Sequence, residues 1–354
     1  MIRREHGRDW LLISQVEHAR LAGELAEAWN FNRGRMAAVR DELVQAVRRH
    51  DEGWAVWELS PTVDPETGRP RDFTEMPMPT ATGIWSRSIA YCLEHHAPSA
   101  MGPLLYCYRE WLSARNLRLT NERVRAIEAI CRQPGRFTTD ALIDELRTAH
   151  GRVSRSLVGR ELGRLRTFGV LESRETSDGE SYANACPLER LSEVGGLWVS
   201  RHFQWLAERA WDSRPSRDER LAIDCFLDEQ MVIHNHWRSS FPREFPSKMA
   251  DDLIDRGVRW IQFFDRLSLW LCSAERHDAA EFEIPCGGTL RLIPAAADRI
   301  LFEPRHVLSG PLHLKVPARR LPVAHYADDA QLKSALAGAP TEELAWEFEP
   351  AAEA

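Results

Sequence analysis

Hydrophobic positions in the first hundred residues switch between the period of a strand and the period of a helix. The run WLLISQ at 10–15 predicts a short strand, and the segments VEHARLAGELAEAW and MAAVRDELVQAVRRHD repeat apolar residues at helical spacing. Residues 58–82 are rich in Pro, Gly, Thr and Asp, which predicts a long irregular loop of a kind that often carries function. A further helix is predicted over IWSRSIAYCLEHHA.

The pattern changes between residues 117 and 186, where three short helical segments precede two strand-like pieces joined by the turn SDG. Three short helices followed by a hairpin are the element order of a winged helix. From about residue 188 apolar helices resume in LWVSRHFQWLAERAW and LIDRGVRWIQFFDRLSLWLC. Short strands then predict a C-terminal sheet that WLLISQ joins, and the acidic end EFEPAAEA predicts fraying.

Composition narrows the functional classes. A chain of 354 residues favours two folding units, and a net charge of −7 argues against the whole molecule being a nucleic-acid binder. Residues 117–176 nevertheless hold twelve arginines against eight acidic residues. The seven scattered cysteines form no CxxC pair, which argues against disulfide and structural-zinc frameworks. With no signal peptide and no membrane-spanning run, we expect a cytoplasmic protein without a membrane partner.

Ionisable residues on apolar helical stripes are the strongest chemical signal. Five of them lie on four predicted helices: His18, His50, Asp51, His202 and Asp265. Burying imidazoles and carboxylates without partners is costly, and a shared divalent cation would turn these burials into ligation. A lone buried histidine is usually structural, and a lone aspartate can cap a turn. The ordered set on four helices, with an adjacent His-Asp pair, favours a metal site.

The same segments carry a family resemblance. HARLAGELAEAW, RRHDEGW, RPRDFTEMP, VSRHF and FDRLSLWLC resemble a bacterial family of unknown function (DUF3891) over about 1–100 and 188–350. The order His…His-Asp…Asp also resembles the HD-domain superfamily, an all-helical fold that binds one or two divalent metals. That resemblance implies core ligands, an additional ligand and two further candidates: His18, His50, Asp51 and Asp265, then His202, then His95 and His96.

Most HD-domain proteins are phosphohydrolases, whose metal supplies hydroxide near neutral pH and polarises the phosphoryl oxygen. A minority with extra histidines hold a di-iron centre and oxidise small substrates. The resemblance therefore implies a hydrolase of a phosphorylated or nucleotide substrate, with Fe, Mn, Zn or Mg in one or two sites. A di-iron oxygenase is the alternative. Glu75, in the predicted loop, and Arg266, beside Asp265, are the candidate catalytic residues.

The middle module resembles the DNA-binding domain of ferric-uptake-regulator-like winged-helix proteins. Ser154 would cap a recognition helix, RSLVGRELGRLRTFG, that ends at Gly169. The resemblance implies four nucleic-acid contacts: Arg155, Arg160, Arg164 and Arg166. Winged helices also dock proteins and peptides, so both kinds of partner stay open. A ligand-sensing DNA-binding regulator without catalysis is the third functional hypothesis.

The sequence thus predicts a mainly α protein in which an HD-like helical metal-binding domain carries a small appended β-sheet and is interrupted by an inserted winged-helix (α+β) domain. The predicted boundaries are 1–105 for the first part of the metal domain, 106–187 for the insertion and 188–350 for the second part.

Overall fold

The computed structural model describes residues 1–31, 34–95, 99–177, 179–213, 215–274 and 277–351. Its helices are α1 (Gln15–Ala28), α2 (Arg40–Arg49), α3 (Trp54–Glu58), α4 (Met78–Glu94), α5 (Met101–Ser113), α6 (Asn121–Cys131), α7 (Thr139–His150), α8 (Arg155–Thr167), α9 (Val194–Asp212), α10 (Arg217–Ser239), α11 (Ser247–Ser273) and α12 (Asp329–Gly338). Its strands are β1 (Ile2–His6), β2 (Asp9–Ile13), β3 (Phe137–Thr138), β4 (Leu171–Thr176), β5 (Gly179–Asn184), β6 (Ala280–Glu283), β7 (Thr289–Pro294), β8 (Arg299–Glu303), β9 (Leu312–Pro322) and β10 (Thr341–Pro350). Over the described residues, no helix combines the length and the apolar character needed to cross a membrane.

The chain divides into two compact units. Unit 1 comprises Met1–Ala97, Gly195–Gln230 and Asp255–Ala354, and unit 2 comprises Pro98–Val194 and Met231–Ile254. Helices α10 and α11 each contribute residues to both units.

The larger sheet belongs to unit 1 and curls into a half-barrel. Its seven strands run in the order β1-β2-β9-β10-β8-β7-β6, and of the pairs only β10 with β8 is parallel among the described strands. In β9, Leu314, Val316 and Ala318 are buried while the residues between them are exposed. This alternation is typical of a strand with one covered face, and helix α1 packs on that strand.

The predicted fold class is wrong. Helices account for about 56% of the chain, but a seven-stranded sheet and a second sheet replace the HD-like helical fold with a small sheet. The sheet is underestimated because its strands carry charges on their outer faces. In β10, Trp346 and Phe348 are buried while Glu347 between them is exposed. The first half of the acidic segment expected to fray, residues 347–350, therefore belongs to a strand that pairs with β9 and with β8.

Unit 2 contains a three-stranded antiparallel sheet in the order β3-β5-β4. Its elements follow one another along the chain as α5, α6, β3, α7, α8, β4 and β5. Helix α8 begins after Ser154, whose hydroxyl accepts a hydrogen bond from the Leu157 amide. The helix ends before Gly169, which has a φ of +84°.

Candidate metal centre

Five ionisable side chains meet inside unit 1. Helix α1 carries His18, helix α9 carries His202, helix α11 carries Asp265, and His50 and Asp51 directly follow α2. Their side chains range from fully buried at His18 to 15% exposed at Asp265. Two overlapping sets of ligand atoms lie within 4.8 Å of one another, and both contain His50. The buried set that the sequence predicts therefore lies together and could hold a metal ion.

Four of the facing atoms have the spacing of ligands around one ion. His18 Nε2 lies 3.0 Å from Asp265 Oδ1 and 3.9 Å from Asp51 Oδ2. His50 Nε2 lies 3.4 Å from the same Asp265 oxygen and 3.5 Å from the same Asp51 oxygen. Two atoms each about 2.1 Å from a metal are about 3.0 Å apart at a right angle and about 3.4 Å apart at the tetrahedral angle. The four atoms thus require little rearrangement to bind one cation.

Hydrogen bonds on the far side of each ring fix how the imidazoles face the centre. The Ser268 hydroxyl donates to the Asp265 carbonyl at 3.0 Å, so its oxygen accepts from His18 Nδ1 at 2.9 Å. His50 Nδ1 donates to the Val47 carbonyl at 2.7 Å. Each ring therefore turns its Nε2 atom towards the carboxylates, which is the orientation of metal-binding histidines.

The centre carries more negative charge than its own groups compensate. His50 Nε2 is buried and has no hydrogen-bond partner in the described structure. Burial alone would lower the pKa of His50, but the carboxylates of Asp51 and Asp265 outweigh burial and raise the pKa to about 9. Burial raises the pKa of Asp51, while the hydrogen bond to His18 helps to hold the pKa of Asp265 below its usual range despite burial. A proton or a metal ion must supply the missing positive charge.

His202 extends the set in a different way. Its Nε2 lies 3.9 Å from Asp265 Oδ2, the carboxylate oxygen that does not contact His18. Burial lowers the pKa of His202 to about 4, so the ring is neutral at physiological pH. Its Nδ1 is buried and lacks a hydrogen-bond partner within the described residues. Asp265 therefore presents one oxygen to His18 and His50 and the other to His202.

Close backbone packing frames the centre. The Gly53 amide donates to Ser88 Oγ on α4 at 2.9 Å. A Cβ at Gly53 would lie 2.1 Å from the Ile84 carbonyl oxygen, so only glycine lets the turn after His50 and Asp51 approach α4. A Cβ at Gly23 would likewise lie 2.6 Å from a neighbouring side-chain carbon on α2, so this glycine sets the spacing between α1 and α2.

Sequence reasoning missed the groups that orient the ligands. Ser268 lies three residues after Asp265 on the same helix, so its spacing was a usable signal. Gly53 was visible directly after the His-Asp pair, but its partner Ser88 lies on another helix. No sequence pattern marks the Val47 carbonyl, because every residue of a helix carries one.

The structure gives Glu75 a structural contact. Its carboxylate accepts hydrogen bonds from the Nη1 and Nη2 atoms of Arg3, at 2.9 and 2.7 Å, and from the Asp72 amide at 2.8 Å. With Asp72 it forms a capping box that fastens the segment before α4 to β1. The hydrogen bond from Arg3 is the largest reason why the pKa of Glu75 is lowered.

Two other candidates, Arg266 and His95, lie outside the two ligand sets. The Arg266 guanidinium lies over the Phe282 ring, 5.8 Å from its centroid, on β6. His95 is exposed at the end of α4, where its ring stacks on Tyr91 and its Nδ1 donates to the Tyr91 carbonyl. His96 falls outside the described residues.

The four arginines predicted to contact nucleic acid lie on α8 of unit 2 and already have partners there. Their partners are Asp140 for Arg155, Ser156 for Arg160, Glu161 for Arg164, and Glu180 with Ser173 for Arg166. Arg164 pairs with a fully buried glutamate, whereas the other three side chains are exposed.

The match to a known protein family covers the segments that carry the candidate metal centre. A family model described as "Protein of unknown function (DUF3891)" matches residues 1–101 and 186–323, a range that includes all five facing side chains. No curated protein and no solved structure gives a significant match. Since the matched ranges cover more than half of the sequence, the chain belongs to the DUF3891 family of proteins of unknown function.

Proposed function

We propose that this protein is a metal-dependent hydrolase that acts on a phosphorylated or nucleotide substrate. The observation that carries the proposal is the arrangement of His18 and His50, whose Nε2 atoms face the carboxylates of Asp51 and Asp265 while each Nδ1 donates to a fixed acceptor. A divalent ion bound there would lower the pKa of a bound water and polarise a phosphoryl oxygen.

The chain's own residues have separate tasks in this proposal. His18, His50 and Asp51, which are almost fully buried, hold the ion and keep bulk water away. Asp265 is the most exposed of the ligands, so the substrate approaches on its side. Ser268 and the Val47 carbonyl keep both imidazoles oriented before the substrate arrives.

Hydrolysis is tested on protein reconstituted separately with Mn²⁺, Mg²⁺, Zn²⁺ or Fe²⁺, against phosphomonoesters, phosphodiesters and nucleotides. We expect metal-dependent phosphate release that Asp51→Asn lowers by about a hundredfold or more, as loss of a ligand to a catalytic metal does. His95→Ala, an exposed histidine outside the ligand sets, is the matched control. Inactivity of every metal form towards all three substrate classes would contradict the proposal.

A di-iron oxygenase is the second candidate, and His202 favours it. A third imidazole beside the second oxygen of Asp265 gives a carboxylate that can join two ions, with histidine nitrogen suited to iron. Bound iron with a mixed-valent electron paramagnetic resonance signal would support this candidate. A redox-silent metal together with phosphatase activity would exclude it.

Recruitment of nucleic acid or a protein by unit 2, in support of catalysis or as a regulator without it, stays a prediction. The exposed positions of Arg155, Arg160 and Arg166 on or near one helix are compatible with either partner. A gel-shift assay tests the nucleic-acid form, which requires salt-sensitive, sequence-specific binding that a small ligand alters.

A further inference from the structure

A cleft of about 490 Å³ lies within unit 2, among α6, α7 and the segment that leads into α8. Its lining combines apolar and ionisable side chains. The apolar members are Ala126, Leu146, Val153 and Leu157, and the ionisable members are Arg125, Arg147, Arg152 and Glu122. Small-molecule sites commonly have about 300 to 1,000 Å³ and pair apolar walls with a few polar groups, so this cleft has suitable size and chemistry.

The arginines of the cleft are less neutralised than most others nearby. Seven of the twelve arginines between residues 117 and 176 form ion pairs with described carboxylates. Arg152 contacts no such group, and within the described part of the chain Arg125 makes a 3.4 Å hydrogen bond to the uncharged Asn121 carbonyl and no ion pair. Arg147 lies 3.7 Å from Asp144 on the surface, a pairing that contributes little.

The charge of the lining selects an anion. Three arginines and one glutamate give the cleft a formal charge of +2, in a protein whose net charge is −7. Guanidinium groups bind phosphate oxygens through paired N–H donors. Glu122 adds an acceptor for a hydroxyl or amino group, and the apolar walls accommodate the organic part of a ligand. Inorganic phosphate alone would leave both of these features unused.

We propose that this cleft binds a phosphorylated small molecule of nucleotide size, at a site separate from the metal centre. The phosphate would lie between Arg125 and Arg152, with its organic group against Val153 and Leu157. A nucleic-acid backbone offers the same phosphate chemistry, but duplex DNA spreads its phosphate contacts over an exposed face. The apolar wall of the cleft favours the small molecule.

Isothermal titration calorimetry on the full chain tests this site with AMP, ATP and pyrophosphate. Chelator-treated protein is used so that a nucleotide at the metal centre does not contribute heat. We expect saturable AMP binding that Arg125→Gln and Arg152→Gln each weaken about tenfold, since each removes charge-assisted hydrogen bonds. Arg174→Gln is the matched control, an exposed arginine on β4 outside the cleft, and should change the affinity less than about twofold.

A second variant separates the two parts of the site. Val153→Trp fills the apolar wall without changing charge, so it should abolish AMP binding and leave pyrophosphate binding within about threefold. Three results would overturn the proposal: no saturable binding of AMP or ATP, equal weakening by Arg174→Gln and Arg152→Gln, or tight binding of duplex DNA that AMP does not displace.

Discussion

Each unit contains a cluster built around buried carboxylates, and the two clusters differ in how the negative charge is compensated. In unit 2, Glu161 is fully buried, accepts a 2.7 Å hydrogen bond from the Tyr108 hydroxyl, and pairs with Arg123 at 3.3 Å and with Arg164. In unit 1, Asp51 and Asp265 face imidazoles. The Glu161 cluster contains permanently charged partners, whereas the unit 1 cluster contains groups that become cationic only by binding a proton.

The two clusters differ in whether the chain itself supplies a permanent countercharge for the buried carboxylates. The Glu161 carboxylate has two guanidinium partners within the chain, so it needs no added cation. The candidate metal centre leaves His50 Nε2 without a hydrogen-bond partner among the described residues, and only imidazoles face its two carboxylates. Buried polar atoms of this kind are rare in folded proteins, and a bound ion is one way to satisfy them. The comparison therefore predicts that only unit 1 gains stability from an added cation.

The largest expected effect concerns the backbone that frames the centre. Gly53→Ala should lower the free energy of unfolding by about 3 kcal/mol and reduce metal binding, because its Cβ meets the Ile84 carbonyl and the Ser88 amide. Urea unfolding and metal analysis measure both effects. In α4, Gly83→Ala is the control, since its Cβ has nothing closer than 3.9 Å, and it should gain up to about 1 kcal/mol. Equal behaviour of the two variants would refute the framing role.

Breaking the Glu161 cluster should give the next largest effect. Glu161→Gln leaves Arg123 and Arg164 without their buried anion, so we expect a loss of about 3 kcal/mol in unfolding free energy. The metal content should stay that of the wild type, because the cluster is complete without metal. Calorimetric unfolding and elemental analysis check the two statements, and a loss of metal would break the proposed contrast.

Glu42 extends the comparison to a buried carboxylate that forms no ion pair with any described residue. Burial raises its pKa from 4.5 to about 7. Between these values the folded state binds more protons than the unfolded state, so this group makes stability fall as pH rises from about 4.5 to 7. Glu42→Gln should therefore gain about 2.5 kcal/mol relative to wild type on going from pH 5 to pH 8, measured by urea unfolding. If the difference in unfolding free energy between the variant and wild type does not change with pH, folding does not raise the pKa of Glu42.

The smallest effect is expected at an exposed pair. Arg155→Ala removes a surface contact with Asp140 and should change the unfolding free energy by less than about 0.5 kcal/mol. The same urea assay measures it beside Glu161→Gln. A loss as large as that of Glu161→Gln would mean that burial does not decide the strength of these pairs.

The candidate ligands were more predictable from sequence than the fold. Each candidate ligand is an ionisable residue in a run of apolar residues at helical spacing: His18, His50, Asp51, His202 and Asp265. This local signal does not depend on the fold around it. The predicted HD-like fold failed because strands such as β1 and β10 carry charges on their outer faces, so they resemble polar termini. Strand β1 pairs with β2, and β10 pairs with β8 and β9, but the polar pattern of these two strands gives no signal for either pairing.

The two predicted catalytic residues do not lie on an apolar helical stripe, and neither belongs to the ligand sets. Glu75 is a charged residue of the predicted loop and Arg266 lies next to Asp265 in the sequence, yet their contacts are with Arg3 and Phe282. Their catalytic roles, like the nucleic-acid contacts on α8, stay predictions. Charge alone is a weak guide to position, because a long side chain reaches many surfaces.

Metal content tests the central claim most directly. Elemental analysis of the purified protein should find about one or two divalent ions per chain. His50→Ala and Asp265→Ala should lose them while circular dichroism shows a folded protein, and His95→Ala should retain them. Wild-type metal content in His50→Ala and Asp265→Ala, or a wild-type protein that binds no divalent metal at all, would contradict the account.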